Sequence, residues 1–277
     1  MFMKYKIACA ALTLMSSVPA LAQEAPTSPV TVTGSVALVS DYRFRGVSQT
    51  DKGMAVQGGI TIAHESGLYV GTWASNLSGW GTFGGSNMEL DLVGGYAMPL
   101  GENATLDVGL TWYMYPSGAD TTDFAEPYVK LSSQIGPVKG LLGVAYAPKQ
   151  KALGKVCSDA ACTIFTPGDK EDNFYVWGDI SGSVPNTPVT LKAHLGYSNG
   201  NSGLGPNGTS LAPTGKYLDW LVGADVAVPG TPLTVGVAYV DTDIARVEEN
   251  YIRPNFSDAD GSSIARGKFV VSLTAAF

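Results

Sequence analysis

Charged and polar residues recur two apart along this chain, the spacing that puts side chains on one face of an extended strand. Asp41, Arg43 and Arg45 follow it, as do Glu89 with Asp91 and Lys192 with His194. Gln57, Asp107, Glu126, Lys130, Asp179, Asp219, Asp225 and Lys268 occupy the polar parity of other alternating segments. Where such faces enclose water, rings or opposed clusters of charge set an ion preference. Acids outnumber bases among these positions, so the expected preference is mildly cationic. Arg43 and Arg45 share a face with Asp41 and fit two arrangements. One is an electrostatic constriction facing carboxylates across a lumen; the other is an interior salt-bridge network that closes it.

Other chemistry is poorly served. The histidines are His64 and His194. A lipase-type site on a membrane barrel, the enzyme alternative, needs serine, histidine and an amide partner on the lipid-facing wall. His194 shares the charged face, and His64, in step with Ile60 and Ile62, falls at the rim away from the outer leaflet. Gly79 to Gly84 fits G-x-G-x-x-G, but no helix follows, as a dinucleotide site requires. Cys157 and Cys162 fall in the longest loop, where an exported chain is expected to form a loop-pinning disulfide. Two thiols without a nearby histidine make a poor metal site, so neither metal nor other cofactor is expected. Asp241, Asp243, Glu248, Glu249, Asp258 and Asp260 make the last long loop acidic, which reads as a solvated surface.

The elements that position these residues follow from composition and period. Of 277 residues, 45% are hydrophobic and 15% charged, with 34 Gly, 13 Tyr and 5 Trp. A soluble domain carries about 25% charge and about 7% Gly. Few charges and many aromatics exclude intrinsic disorder, and a net charge of -7 argues against a nucleic-acid partner. Lys4 and Lys6, the apolar run from Ile7 to Met15 and Ala20-Leu21-Ala22 form the pattern of a cleaved signal peptide over residues 1–22. Residues 23–277 are then expected to form one domain.

Period-two alternation marks strands near 31–46, 55–65, 67–77, 86–97, 104–115, 123–134, 138–148, 173–184, 188–199, 216–228, 233–243 and 267–277. Their length suits a tilted bilayer crossing. Connections alternate short and long, as in an outer-membrane barrel with short periplasmic turns and longer extracellular loops. Trp73, Trp112, Trp177 and Trp220 fall toward strand ends and are expected in interfacial aromatic girdles. A soluble sandwich gives no reason for every second connection to be long. A charge facing lipid at the midplane costs roughly 2–4 kcal/mol, so the strand charges are expected to point inward. Twelve strands about 4.8 Å apart and tilted near 40° close to a backbone diameter of roughly 24 Å.

The stretch Ser40 to Thr50, reading SDYRFRGVSQT, resembles the opening motif of the TorF family of outer-membrane porins. Ala55 to Gly59 and Gly67 to Asn76 extend the resemblance. It implies a porin fold with no particular substrate. The last strand, ending in Phe277, is similar to the terminal signature of bacterial outer-membrane proteins. That likeness implies the barrel-assembly machinery as a partner and a Gram-negative envelope. The expected protein is an all-β transmembrane antiparallel barrel of about twelve strands, surrounded by outer-membrane lipids and lipopolysaccharide. It passes ions or small hydrophilic solutes; the alternative is a closed structural or adhesive barrel.

Overall fold

Alternating apolar and polar residues become strands along most of the chain. The computed structural model describes residues 28–154, 169–200, 202–245 and 256–277. The expected signal segment, Cys157, Cys162, Glu248 and Glu249 lie outside the described residues. The elements are β1 (Val30–Val39), β2 (Arg43–Phe44), β3 (Val47–Ser48), β4 (Ala55–His64), β5 (Leu68–Asn76), β6 (Met88–Leu100) and β7 (Ala104–Met114). They continue as β8 (Phe124–Ile135), β9 (Val138–Gln150), β10 (Glu171–Ser183), β11 (Val189–Gly200), β12 (Tyr217–Ala227), β13 (Leu233–Thr242) and β14 (Lys268–Ala276). All but β2 and β3 form one closed barrel in which each strand pairs antiparallel with its neighbours in sequence. The closing pair joins β1 to β14 through Ser35↔Ala276 to Val39↔Ser272. Phe277 extends the seam by exchanging backbone hydrogen bonds with Gly34 at 2.8 and 2.9 Å. The barrel predicted from alternation is therefore the barrel observed.

Short connections at 65–67, 101–103, 136–137, 184–188 and 228–232 gather at one end of the barrel. The longer connections, from β1 to β4, β5 to β6, β7 to β8, β9 to β10, β11 to β12 and β13 to β14, leave and re-enter the barrel at the other. We call these the turn end and the loop end. The outer face is apolar: Leu142 is 67% exposed, Val222 55% and Phe269 68%. Monomers in water rarely leave so continuous an apolar surface uncovered.

Most aliphatic side chains of the strands thus face outward; the largest buried apolar cluster reaches into the loop end, and smaller ones, such as Leu221, Ala238 and Val240, lie inside the barrel. Tyr42, Trp80, Phe83, Tyr115, Phe256 and Ile264 belong to the largest cluster, contributed by separate loops. Backbone bonds tie these loops together: Gly84 N–H donates to Asn207 O at 2.8 Å, and Ala119 N–H to Gly84 O at 2.7 Å.

Two expectations are corrected. The first strand ends at Val39 rather than continuing to residue 46. Beyond Ser40, whose N–H bonds Val271 O at 2.9 Å, the chain leaves the barrel wall. The tryptophans also do not all face the interfaces. Trp112 is exposed, but Trp73 and Trp177 are buried inside the barrel.

Candidate functional site

The segment after β1 reverses at Arg45-Gly46, both at positive φ (47° and 79°). That is the backbone of a type I′ hairpin, which suits the twist of paired strands. Arg43 pairs with Ser48 and Phe44 with Val47. Only glycine fits the second turn position, because a Cβ on Gly46 would lie 2.3 Å from Thr242 Cγ2. Asp41 anchors the base. It accepts from Arg43 Nε at 2.7 Å and from Ser48 Oγ at 2.5 Å.

The turn carries Arg45 across the barrel. In the closed strand order β9 lies opposite β1, and Arg45 reaches the strands flanking β9. Its Nη2 donates to both oxygens of Glu126 on β8, at 2.9 and 2.7 Å. Its guanidinium lies 4.0 Å from the ring centroid of Tyr175 on β10. Arg45 is 8% exposed and Glu126 1%. Tyr42 packs edge-on against Trp73 on β5 and donates to Glu89 Oε2 on β6 at 3.1 Å. Phe44 meets Tyr113 on β7. The hairpin therefore bridges the lumen instead of lining one side of it.

Further networks join neighbouring strands. Lys130 Nζ pairs with Asp107 Oδ2 at 2.8 Å, and Tyr69 donates to Asp107 Oδ1 at 2.7 Å. Lys192 Nζ pairs with Asp225 Oδ1 at 2.7 Å. His194 places Nδ1 2.6 Å from Asp179 and Nε2 3.1 Å from Asp219, with the Tyr175 hydroxyl 3.0 Å from Nε2. Gln57 lies 3.5 Å from Ser75 Oγ. These positions face inward, as their parity predicts.

Asp41, Arg43 and Arg45 all stand on the hairpin rather than on the barrel wall. Arg43 pairs locally with Asp41 rather than across the lumen, because the chain has already turned off the wall. Lys268 donates to Lys52 O at 2.7 Å and stands 3.8 Å from Asp41. Glu89 and Asp91 differ from the other carboxylates. Both are buried, neither meets a cationic side chain within ion-pair distance among the described residues, and Asp91 Oδ1 has no hydrogen-bond partner there.

Alternation alone could not find the interior aromatics. Trp73 sits opposite Gly59, Tyr69 opposite Gly95, Tyr128 opposite Gly109, and Trp177 opposite both Gly143 and Gly196. Large rings thus lie over glycines on the next strand. A Cβ on Gly143 would come within 2.2 Å of the Trp177 indole, which itself stacks on Tyr175. Gly143→Ala is therefore expected to destabilise the barrel by about 1–3 kcal/mol, the usual range for overpacking. The temperature at which the folded band is lost on unboiled gels should fall; an unchanged temperature would mean that the indole moves aside freely.

His64 contacts Ser66 Oγ at 2.9 Å on the outer face of the turn end. That is the rim expected from its parity.

Two solved barrels are similar in fold. One, described as KdgM porin, aligns with a TM-score of 0.52 at 9% identity, covering 88% of this chain and 99% of its own. Another, KdgM porin in complex with disordered oligogalacturonate, gives 0.51 at 10% identity, covering 89% and 98%. No curated protein matches the sequence. One family model matches residues 23–277, described as "Bacterial protein of unknown function (Gcw_chp)", and the chain belongs to that family.

Proposed function

We propose that this protein is a porin-like channel of the bacterial outer membrane that passes ions or small hydrophilic solutes with a mild preference for cations. The carrying observation is the closed barrel itself, apolar outside and ionic inside. An apolar exterior of strands is stable against lipid, and a barrel leaves no unpaired sheet edge there. On this reading residues 1–22 are removed on export, the loop end faces outward, and the terminal Phe277 strand is read by the assembly machinery. Lipids and lipopolysaccharide surround the barrel. The TorF-like opening motif, residues 40–50, supports the porin class and forms the lumenal hairpin. The oligogalacturonate of the second KdgM structure is polyanionic; a wall in which carboxylates outnumber lysines and arginines is poorly matched to it.

Planar-bilayer recording tests this reading. Purified protein with a heat-dependent gel shift is expected to give discrete conductance steps. Silence at high protein load, from protein that shows the shift, would overturn it. The second reading, a closed structural barrel, draws on the hairpin across the lumen and the depth at which Arg45 and Glu126 are buried. It requires silence also when the hairpin is released.

A further inference from the structure

A cleft of about 500 Å³ opens at the loop end between the inner hairpin and the segment leading into β14. Its lining includes Arg43, Lys52, Arg266 and Lys268, four cations in a chain of net charge -7. The topology creates it. β14 begins at Lys268, whereas its pairing with β1 starts only at Ser272↔Val39, because β1 has ended and the hairpin has turned inward.

Among the described residues, Asp41 and Asp258 are the nearby carboxylates, and each pairs with one cation of the lining, Arg43 and Lys52. Asp41 is fully buried against Arg43 and Ser48. Asp258 pairs with Lys52 and accepts from Ser262 Oγ at 2.9 Å. Asp51 and Asp260, further acids of these two segments, do not line the cleft. Arg43 is held rigidly: Nε donates to Asp41, and Nη1 donates to Gly46 O, Ile264 O and Arg266 O at 2.9, 2.9 and 3.1 Å. Its side chain is 2% exposed, yet Nη2 has no acceptor among the described residues. A buried guanidinium donor left over in this way is costly unless an acceptor arrives.

We propose that this cleft binds a phosphate monoester. Arginine and lysine ammonium groups converging on one cavity suit a compact dianion, which can take several charge-assisted hydrogen bonds at once. Two sources share this chemistry: a free phosphorylated solute, or the phosphate of a lipid headgroup. The second rests on the membrane reading above. It fits the exposed Phe269, which follows Lys268 on the outer face and would carry the acyl region of such a lipid up to the cleft.

The test uses the full protein in zwitterionic detergent, with two arms. Inorganic phosphate is titrated by calorimetry, and retention of diphosphoryl lipid A is compared with that of its dephosphorylated form by native mass spectrometry. The variant Arg266→Gln/Lys268→Gln is compared with Lys139→Gln, which removes an exposed cation from the turn end. Binding in at least one arm, weakened tenfold or more by the double variant and unchanged by Lys139→Gln, is the expected result. Phosphate binding alone assigns a soluble ligand; retention of the phosphorylated lipid alone assigns a headgroup. Should neither arm bind, or should both variants behave alike, the proposal fails. A gel-shift control shows that each variant is folded. Neither arm depends on conductance, so failure here is separable from failure of the channel reading.

Discussion

Replacing Arg45 by alanine is expected to raise single-channel conductance several-fold in planar bilayers. The reasoning starts from burial. Arg45 carries the tip of the hairpin to the far wall, where it meets Glu126 at 2.7 Å with both side chains almost wholly excluded from solvent. Removing one partner of a buried pair leaves an uncompensated charge and typically costs 3–5 kcal/mol. In the variant, Glu126 recovers hydration only if water enters between the hairpin and the wall. At about 1.4 kcal/mol per factor of ten, the ratio of docked to released hairpin falls by roughly two to three and a half orders of magnitude. The cation over the Tyr175 ring is lost in the same step. Arg45→Ala/Glu126→Ala separates the causes: removing both charges takes away the uncompensated carboxylate, so its conductance should fall back toward the parent value. Equal conductance for parent and Arg45→Ala would show that the hairpin does not obstruct the path.

Most of the barrel was legible because two periods coincide in the sequence. Side-chain alternation gave strands such as β7 and β11 to within two residues, and alternating connection lengths gave two unlike ends. The error at β1 has a definite source. From Ser40 to Arg45 the alternation runs on without a break, since a hairpin's strands have the same period as a wall strand. The available signal was Arg45-Gly46, with glycine where a type I′ turn needs positive φ, flanked by Phe44 and Val47. Trp73 and Trp177 depart from the expected girdle positions for another reason. Their place over Gly59 and Gly143 is a property of cross-strand register, which one strand's sequence does not contain. The loop-end core was harder still, because bonds such as Gly84 N–H to Asn207 O join loops far apart in the chain. The same run of alternation puts Asp41, Arg43 and Arg45 in step with the lumen wall, although all three lie beyond the end of β1.

On the channel reading proposed above, Glu89→Gln/Asp91→Asn is expected to abolish the proposed cation preference, giving a reversal potential near zero in a salt gradient. Carboxylates at most other lumenal positions face a lysine, an arginine or His194, so their fields largely cancel. Glu89 and Asp91 stand on successive inward positions of β6, roughly 7 Å apart along the strand. Glu89 accepts from the Tyr42 hydroxyl, a neutral donor. A unit charge acting at 4 Å is worth about 1 kcal/mol in water and about 4 kcal/mol at an effective dielectric of 20. At a recording pH high enough to ionise both, two such carboxylates beside the proposed path can therefore enrich cations by a factor of ten or more. Both substitutions are nearly isosteric, so the packing of Tyr42 on Trp73 should survive and conductance should change less than selectivity. Lys192→Gln, which leaves Asp225 without its partner, is the opposing control and should shift the potential further toward cations. A double variant that keeps the parent potential would place the selectivity elsewhere on the wall, and would leave the uncompensated β6 carboxylates without a role in conduction.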